Sequence, residues 1–281
     1  MRITAGFVEH KSVVIEPRKG WVPVDFRELW KFRELLYFLA WRDIKVKYKQ
    51  TALGVVWAVL QPVLAMLIFS LVFGRFASMP SEGVPYPIFV LTGLLLWNYF
   101  AAVLNQSTTS LVTGANLVSK VYFPRLIIPA SSAIAALIDF LIGFAVLLAM
   151  MLWYGVALGP GVLLAPVIIG VTLLNAVGFG IWFSALNVRY RDVQYAVPFL
   201  IQIWMFASPV IYPASLLGEK WSWLMRLNPM SGVIEAIRPA MLGNRPIPWD
   251  GLLISAVLGF VIFLAGVFYF RRVERYFADV I

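Results

Sequence analysis

The sequence predicts an all-α integral membrane protein, with six transmembrane helices, an N-terminal amphipathic interface helix and re-entrant hairpin helices between spans five and six. Three observations carry that prediction. Of 281 residues, 61% are hydrophobic and 13% charged, with a mean hydropathy of +0.84, whereas soluble domains hold about 45–50% apolar and about 25% charged residues. A water-soluble core has no room for that much apolar surface. The apolar residues are also gathered into runs that can cross a bilayer, which takes roughly 20 residues at about 1.5 Å each. Finally, Lys and Arg are shared unevenly between alternate connecting segments, the mark of a polytopic chain with a fixed orientation.

Uncharged apolar windows place the spans at 55–73, 87–104, 126–154, 162–186, 196–212 and 252–270. No signal-peptide core is visible before residue 50, so the chain is expected to insert through its own first span. Of the 23 Lys and Arg residues, 18 fall in one set of alternate segments: eleven before residue 55, then Lys120, Arg125, Arg189, Arg191, Arg271, Arg272 and Arg275. Arg75, Lys220, Arg226, Arg238 and Arg245 make up the other set. The positive-inside rule then puts both termini in the cytoplasm. The chain divides into a leader (1–24), an interface helix with a basic linker (25–50) and the six-span domain (51–281).

Residues 25–41 read as an amphipathic helix opened by a capping box of Asp25 and Glu28, with Phe26, Leu29, Phe32, Leu36 and Leu39 on one stripe. Such a helix is expected along the cytoplasmic membrane surface, its stripe in the acyl boundary and its cations on anionic headgroups. The external stretch 213–251 mixes Trp, Pro and apolar residues with seven charges and reads as re-entrant or interfacial helices. Trp221, Trp223 and Trp249 in it suit the headgroup layer.

Several chemistries are excluded or unsupported. The net charge of +9 is spread between apolar spans instead of gathered on a soluble face, so no nucleic-acid partner is expected. With no Cys and a single His, His10, there is no thiol nucleophile, Cys-ligated zinc or imidazole cluster. No catalytic, cofactor-binding or metal residue is assigned. A phosphate-cradling Gly-x-x-x-x-Gly-Lys-Ser/Thr loop is absent, the only Lys-Gly pair being Lys19-Gly20; ATP and Mg are therefore expected on a separate subunit. Asp139 is the one ionisable side chain well inside a span, its face completed by Ser132, Ala135, Ala136 and Gly143. It is either hydrogen-bonded at a packed helix face or part of a proton relay.

Two sets of residues point to transport. Asn116, Lys120, Tyr122, Phe123, Pro124 and Arg125 mix aromatic and basic groups in a cytoplasmic loop and suit docking to a soluble partner. Trp57, Phe69, Phe73, Trp97, Tyr99, Phe100, Trp204 and Tyr212 stud spans one, two and five. They either face lipid or line a path on which the C–H faces of sugars stack. Arg42, Lys45 and Lys47 near the cytoplasmic mouth suit the phosphates of a lipid carrier.

The run Arg42-Asp43-Ile44-Lys45-Val46-Lys47-Tyr48-Lys49-Gln50-Thr51 into Leu53-Gly54 and Gln61-Pro62 resembles the permeases of ABC-2 type exporters, above all those for polysaccharides and polyol phosphates. Further likeness lies in 116–129 around Lys120-Val121-Tyr122-Phe123-Pro124-Arg125, in Asn187-Val188-Arg189-Tyr190-Arg191-Asp192-Val193, in Ser208-Pro209-Val210-Ile211-Tyr212-Pro213, in Leu227-Asn228-Pro229-Met230 and in Glu235-Ala236-Ile237-Arg238. Together these blocks cover residues 25–275. The resemblance implies a homodimer in the bacterial inner membrane, carrying two copies of a separate ATP-binding subunit and forming a channel between its two membrane subunits. The cargo it implies is a lipid-linked polysaccharide, most closely undecaprenyl-pyrophosphate-linked O-antigen, with capsule, teichoic acid, lipid or drug as alternatives. It also implies that 25–41 and 116–125 contact the ATPase and that 214–245 shapes the external exit. A membrane-embedded glycolipid enzyme is the rival class; it needs clustered acidic or His residues, whereas Asp43 and Asp192 are single carboxylates among cations.

Overall fold

A computed structural model describes residues 26–49 and 54–277. The leader, Asp25 of the expected capping box, and Gln50, Thr51 and Leu53 of the first resemblance block lie outside the described residues. Among those described there is no strand, as the bilayer requires of a chain that is not a closed barrel, because a helix satisfies its own backbone polar groups. The order is α1 (Phe26–Lys31), α2 (Arg33–Lys49), α3 (Val55–Phe69), α4 (Tyr86–Thr113), α5 (Ala115–Lys120), α6 (Ile127–Trp153), α7 (Ala165–Arg189), α8 (Val193–Phe206), α9 (Gly218–Leu227), α10 (Ser231–Leu242) and α11 (Trp249–Val273). A π-helical turn carries α3 on to Phe76, and a 3-10 turn from Pro160 leads into α7.

Among the described residues, five helices are long and apolar enough to cross a membrane: Val55–Phe76, Tyr86–Thr113, Ile127–Trp153, Pro160–Arg189 and Trp249–Tyr276. They take in five of the six expected windows. The remaining window, 196–212, forms the 14-residue α8 followed by a turn at 207–212. At about 1.5 Å per residue, α8 is about 21 Å long and shorter than the roughly 30 Å hydrocarbon layer. Ser208-Pro209 ends its apolar run. α4 outruns its window by nine residues, Asn105 to Thr113, because its Ser and Thr hydroxyls bond back to carbonyls three or four residues earlier, as Thr108 does to Leu104.

α4 stands at the centre. Every residue from Ile88 to Trp97 is buried, and α3, α6, α7, α8 and α10 pack around it. Its Thr92, Ser107 and Thr108 hydroxyls, each bonded to a carbonyl, are enclosed with it and kept from lipid. α7 and α11 are held closest by small residues: a Cβ added at Gly266 would lie 2.6 Å from the Gly178 carbonyl oxygen, and one at Gly178 2.9 Å from the backbone of Phe263. Without a hydrophobic force between helices in lipid, such close backbone approach supplies the dispersion contact that joins them.

The hairpin expected in 213–251 is present as α9 and α10. α9 is an exposed amphipathic helix carrying Trp221 and Trp223 on its surface, whereas every residue of α10 is buried against α4, α7 and α11. α10 thus re-enters the protein body. The interface helix departs from expectation. Its aliphatic stripe, Leu29, Phe32, Leu36 and Leu39, packs on protein, against Leu111, Val118, Phe123 and Leu126, and does not face lipid. Backbone hydrogen bonds continue through Phe32, so α1 and α2 form one rod, and that rod climbs beside α6.

Gly266→Leu is expected to force α7 and α11 apart and to cost about 1–3 kcal/mol. A fall in the thermal unfolding midpoint in detergent, absent for Gly170→Leu where a side chain meets open space, checks this.

Candidate coupling and transport site

The corner between α4 and α6, expected on the cytoplasmic side, is built where α4 ends at Gly114 and the short α5 begins. After α5 the chain extends at Val121 (φ −127°, ψ 134°). Tyr122 stands 69% exposed, while Phe123 is 4% exposed in the cluster with Leu39, Val118, Phe270 and Phe277. Pro124 is buried beside it. Nη1 of Arg125 donates to the carbonyl of Glu274 at 2.5 Å, and its guanidinium lies 5.9 Å from the Phe277 ring centroid. The six expected docking residues therefore divide. Asn116, Lys120 and Tyr122 face outward. Phe123, Pro124 and Arg125 point inward and pin the loop to the end of α11, so they brace the loop from within while the other three form its surface. The Tyr122 hydroxyl also reaches Glu28 of α1, in a long hydrogen bond of 3.5 Å.

The expected phosphate-binding cations divide as well. Arg42, Lys45 and Lys49 are exposed and recur at i, i+3 and i+7, which puts them on one flank of α2. Arg42 pairs with Asp43 at 2.8 Å, and the Lys45 ammonium lies 5.4 Å from the Trp41 ring centroid. Lys47 points away from that flank to Asp139 of α6, with Nζ 2.5 Å from Oδ2. Lys49 takes its place in the stripe, and the helical spacing would have found it. Trp30, Tyr37 and Trp41 form a second outward face, and Tyr37 and Trp41 stack at 6.4 Å. An aromatic face beside cations suits the headgroup layer better than the buried aliphatic stripe does.

The aromatic set is largely internal. Trp97, Tyr99 and Phe100 are buried inside the chain and face neighbouring side chains in this conformation instead of an open path. Trp204 of α8 is half-buried where edge-to-face contacts converge: its ring lies 6.1 Å from Trp97, 5.2 Å from Phe100 and 5.0 Å from Phe179. Its indole N–H donates to Oδ1 of Asn228 at 3.1 Å, tying α8 to the α9–α10 link. Phe69 and Phe73 form a tilted pair at 5.9 Å against the core, Trp57 is exposed on α3, and the Tyr212 hydroxyl donates to the Phe206 carbonyl at 2.9 Å. Beside Trp204 runs an apolar groove of about 350 Å³, lined by Leu104, Phe183, Val197, Leu200 and Ile203.

On the opposite side lies a charge cluster that periodicity did not reveal. Arg238 of α10 is wholly buried; its Nη1 meets Glu235 at 3.1 Å, its Nη2 donates to the Val210 carbonyl at 2.8 Å, and its guanidinium covers the Phe89 ring at 3.7 Å. Arg245 bridges Glu235 at 2.6 Å and Glu82 at 2.8 Å. Two cations and two carboxylates thus tie the α3–α4 loop, the end of α8, α10 and the α10–α11 loop into one unit. Burial lowers the Arg238 pKa to about 10, against the opposing pull of Glu235. It remains charged at neutral pH. Burial likewise pushes the Glu82 carboxyl up, with Arg245 pulling it back. The i, i+3 spacing of Glu235 and Arg238 was readable as a helical ion pair, but of its further partners Arg245 stands on the next loop and Val210, Phe89 and Glu82 lie on distant segments.

Residues 34–242, from α2 through α10, match the family model for ABC-2 type transporters. The chain belongs to the ABC-2 type transporter family. Among its relatives, the O-antigen export system permease protein RfbA of Myxococcus xanthus is 29% identical over 90% of this chain and 97% of its own length. The protein of the same description from Klebsiella pneumoniae is 27% identical over 88% and 95%. The polysialic acid transport protein KpsM of Escherichia coli is 27% identical over 72% and 78%. As an ABC-2 transporter the chain is a multi-pass membrane protein. The family match takes in the outward Tyr122 tip, the cationic flank of α2 and the buried cluster of α10.

Replacing Arg238 by Met leaves Glu235 and Glu82 to share the single cation Arg245 and is expected to cost about 3–5 kcal/mol. The double change Arg238→Met with Glu235→Leu is expected to recover much of the loss, because it removes one charge of each sign and leaves Arg245 paired with Glu82. Detergent unfolding of the single and double variants checks this.

Proposed function

We propose that this chain is the membrane-spanning permease subunit of an ATP-driven exporter that moves a lipid-linked polysaccharide from the cytoplasm across the inner membrane. Two copies form a homodimer with the path along their seam, and each engages one separate ATP-binding subunit that holds ATP and Mg. Both termini lie in the cytoplasm, as the cation asymmetry argues. The observation that carries the reading is the cytoplasmic corner. Tyr122, with Lys120 and Asn116, is presented outward on a loop whose next three residues are anchored in the protein, the form of a rigid knob that takes up force without folding away.

The substrate class rests on the relatives. Those named for O-antigen export cover 88–90% of the chain against 72% for the one named for polysialic acid, which favours an O-antigen-like polymer. The flank of Arg42, Lys45 and Lys49 suits the carrier phosphate, as point charges beside aromatic rings at a membrane surface. Exposed Trp57 and half-buried Phe69, Phe73, Trp204 and Tyr212 are the residues of the aromatic set left with accessible surface for sugar contact. Mechanically, closure of the ATP-binding subunits displaces the knob, and α4 and α6, which begin and end at this corner, tilt with it.

Purified alone in lipid, the chain is expected to hydrolyse no ATP; with its ATP-binding partner it forms a complex whose hydrolysis responds to lipid-linked glycan. Failure to bind any ATPase, or turnover of the glycolipid unaided, overturns the reading. Tyr122→Ala is expected to weaken that complex about tenfold or more with folding intact, since aromatic anchors dominate interfaces. Phe123→Ala is expected instead to destabilise the permease itself by about 3–5 kcal/mol. Co-purification and thermal unfolding of the two variants separate these effects.

A further inference from the structure

Asp139 is the one carboxylate away from the helix ends among the described residues of the five long apolar helices. It lies about 18 Å along α6 from Ile127, at about 1.5 Å per residue. Both of its oxygens are engaged. Nζ of Lys47 meets Oδ2 at 2.5 Å, and the Tyr48 hydroxyl donates to Oδ1. The two partners are adjacent residues in the last turn of α2, just before the chain passes into the first span. The small residues on the neighbouring face of α6, Ser132, Ala135 and Ala136, are buried as well, and α2 packs along α6, so among the described residues the carboxylate is the one charged tie in an otherwise uncharged contact.

At the other end of the same rod, Glu28 receives the hydrogen bond from Tyr122. Glu28 and Lys47 are about 29 Å apart along a helix of this length. Between them the rod rests on its aliphatic stripe, Leu29, Phe32, Leu36 and Leu39. Apolar contacts of that kind are non-directional and allow a helix to shift along its axis. A charge-assisted, two-point bond to a carboxylate is directional and resists the shift. A carboxylate inside a span is costly to leave unpaired, so the joint is also hard to open.

We propose that α1 and α2 act as a lever and that Asp139 is the positioning residue that fixes its far end, so that displacement of the Tyr122 knob is delivered to α6 and to the first span through Lys47 and Tyr48. The proposal rests on the exporter reading, in which an ATP-binding partner moves that knob. Without the joint the partner still docks and hydrolyses ATP and the corner still moves α4 and the start of α6, but the rod no longer carries the stroke to the middle of α6 and to the first span, and the two motions lose their coordination.

The test uses the whole permease–ATPase complex in proteoliposomes with lipid-linked polysaccharide, measuring ATP hydrolysis and polymer transport in parallel. Asp139→Asn, which keeps the shape and an acceptor for Tyr48, is expected to leave hydrolysis within about twofold and to lower transport per ATP by about tenfold or more, the scale of ordinary coupling energies. Lys47→Met follows the same pattern, and the charge exchange Lys47→Asp with Asp139→Lys restores much of the loss. Tyr48→Phe, which leaves the ion pair, shows a smaller loss. Unchanged transport per ATP in Asp139→Asn overturns the proposal. So does a fall in hydrolysis, transport and complex yield together, which marks Asp139 as a fold residue only. A wild-type complex that hydrolyses no ATP overturns the exporter reading itself, and the lever with it.

Discussion

Enclosure of α4 is the constraint on which the rest of the structure depends. A helix that is apolar on every side has no face to give to water, and in lipid it gains nothing from mere contact with other apolar helices. It is held by close fit, and the fit is made by small residues: Gly143 of α6 lies against Leu95, Gly180 of α7 against Ser107, and Gly74 of the first span against Tyr86. Each neighbour of α4 is thereby set at a fixed height and angle. The Gly-lined contact of α7 with α11 and the burial of α10 against both follow from that arrangement.

Charge is admitted to this body only where it is cross-linked. On one side, Arg238, Glu235, Arg245 and Glu82 join four segments of the chain, and the buried guanidinium is further satisfied by the Val210 carbonyl and the Phe89 ring. In the middle of α6, Lys47 and Tyr48 close on Asp139. The physical logic is shared: burying an ion is unfavourable unless its partner is in place, so each group specifies where its partner's segment must lie. Trp204 links α8 to the core through rings and to the α9–α10 hairpin through Asn228. α8 is thus the helix whose position both the core and the hairpin influence, and it borders the apolar groove.

The corner between α4 and α6 shows how a short segment performs two tasks. Gly114 breaks α4, α5 turns the chain, and the loop after it holds Tyr122 outward and Phe123 inward. Arg125 then ties the loop to the end of α11, and the Tyr122 hydroxyl reaches α1. A family that couples a membrane subunit to a soluble motor needs a contact that is exposed and stiff together, and a loop with an exposed tip and a buried foot provides both.

Sequence by itself determined the all-helical membrane class, the place of five long spans, the re-entrant hairpin and the family, because run length, cation asymmetry and separated blocks in order are all written locally along the chain. It also marked the cytoplasmic corner and singled out Asp139. It could not say which aromatic residues are enclosed: Trp97 and Phe100 sit on α4 and Trp204 on α8, and only their packing puts the first two in the core. Nor could it say that half of the expected coupling set points inward or that the stripe of the interface helix meets protein, since an apolar face looks the same whether it meets lipid or protein. The partners of Arg238 and of Asp139 were decided by tertiary structure alone: a charge shows in a sequence where it stands, but the counter-charge that makes its burial stable is chosen by which helices lie side by side.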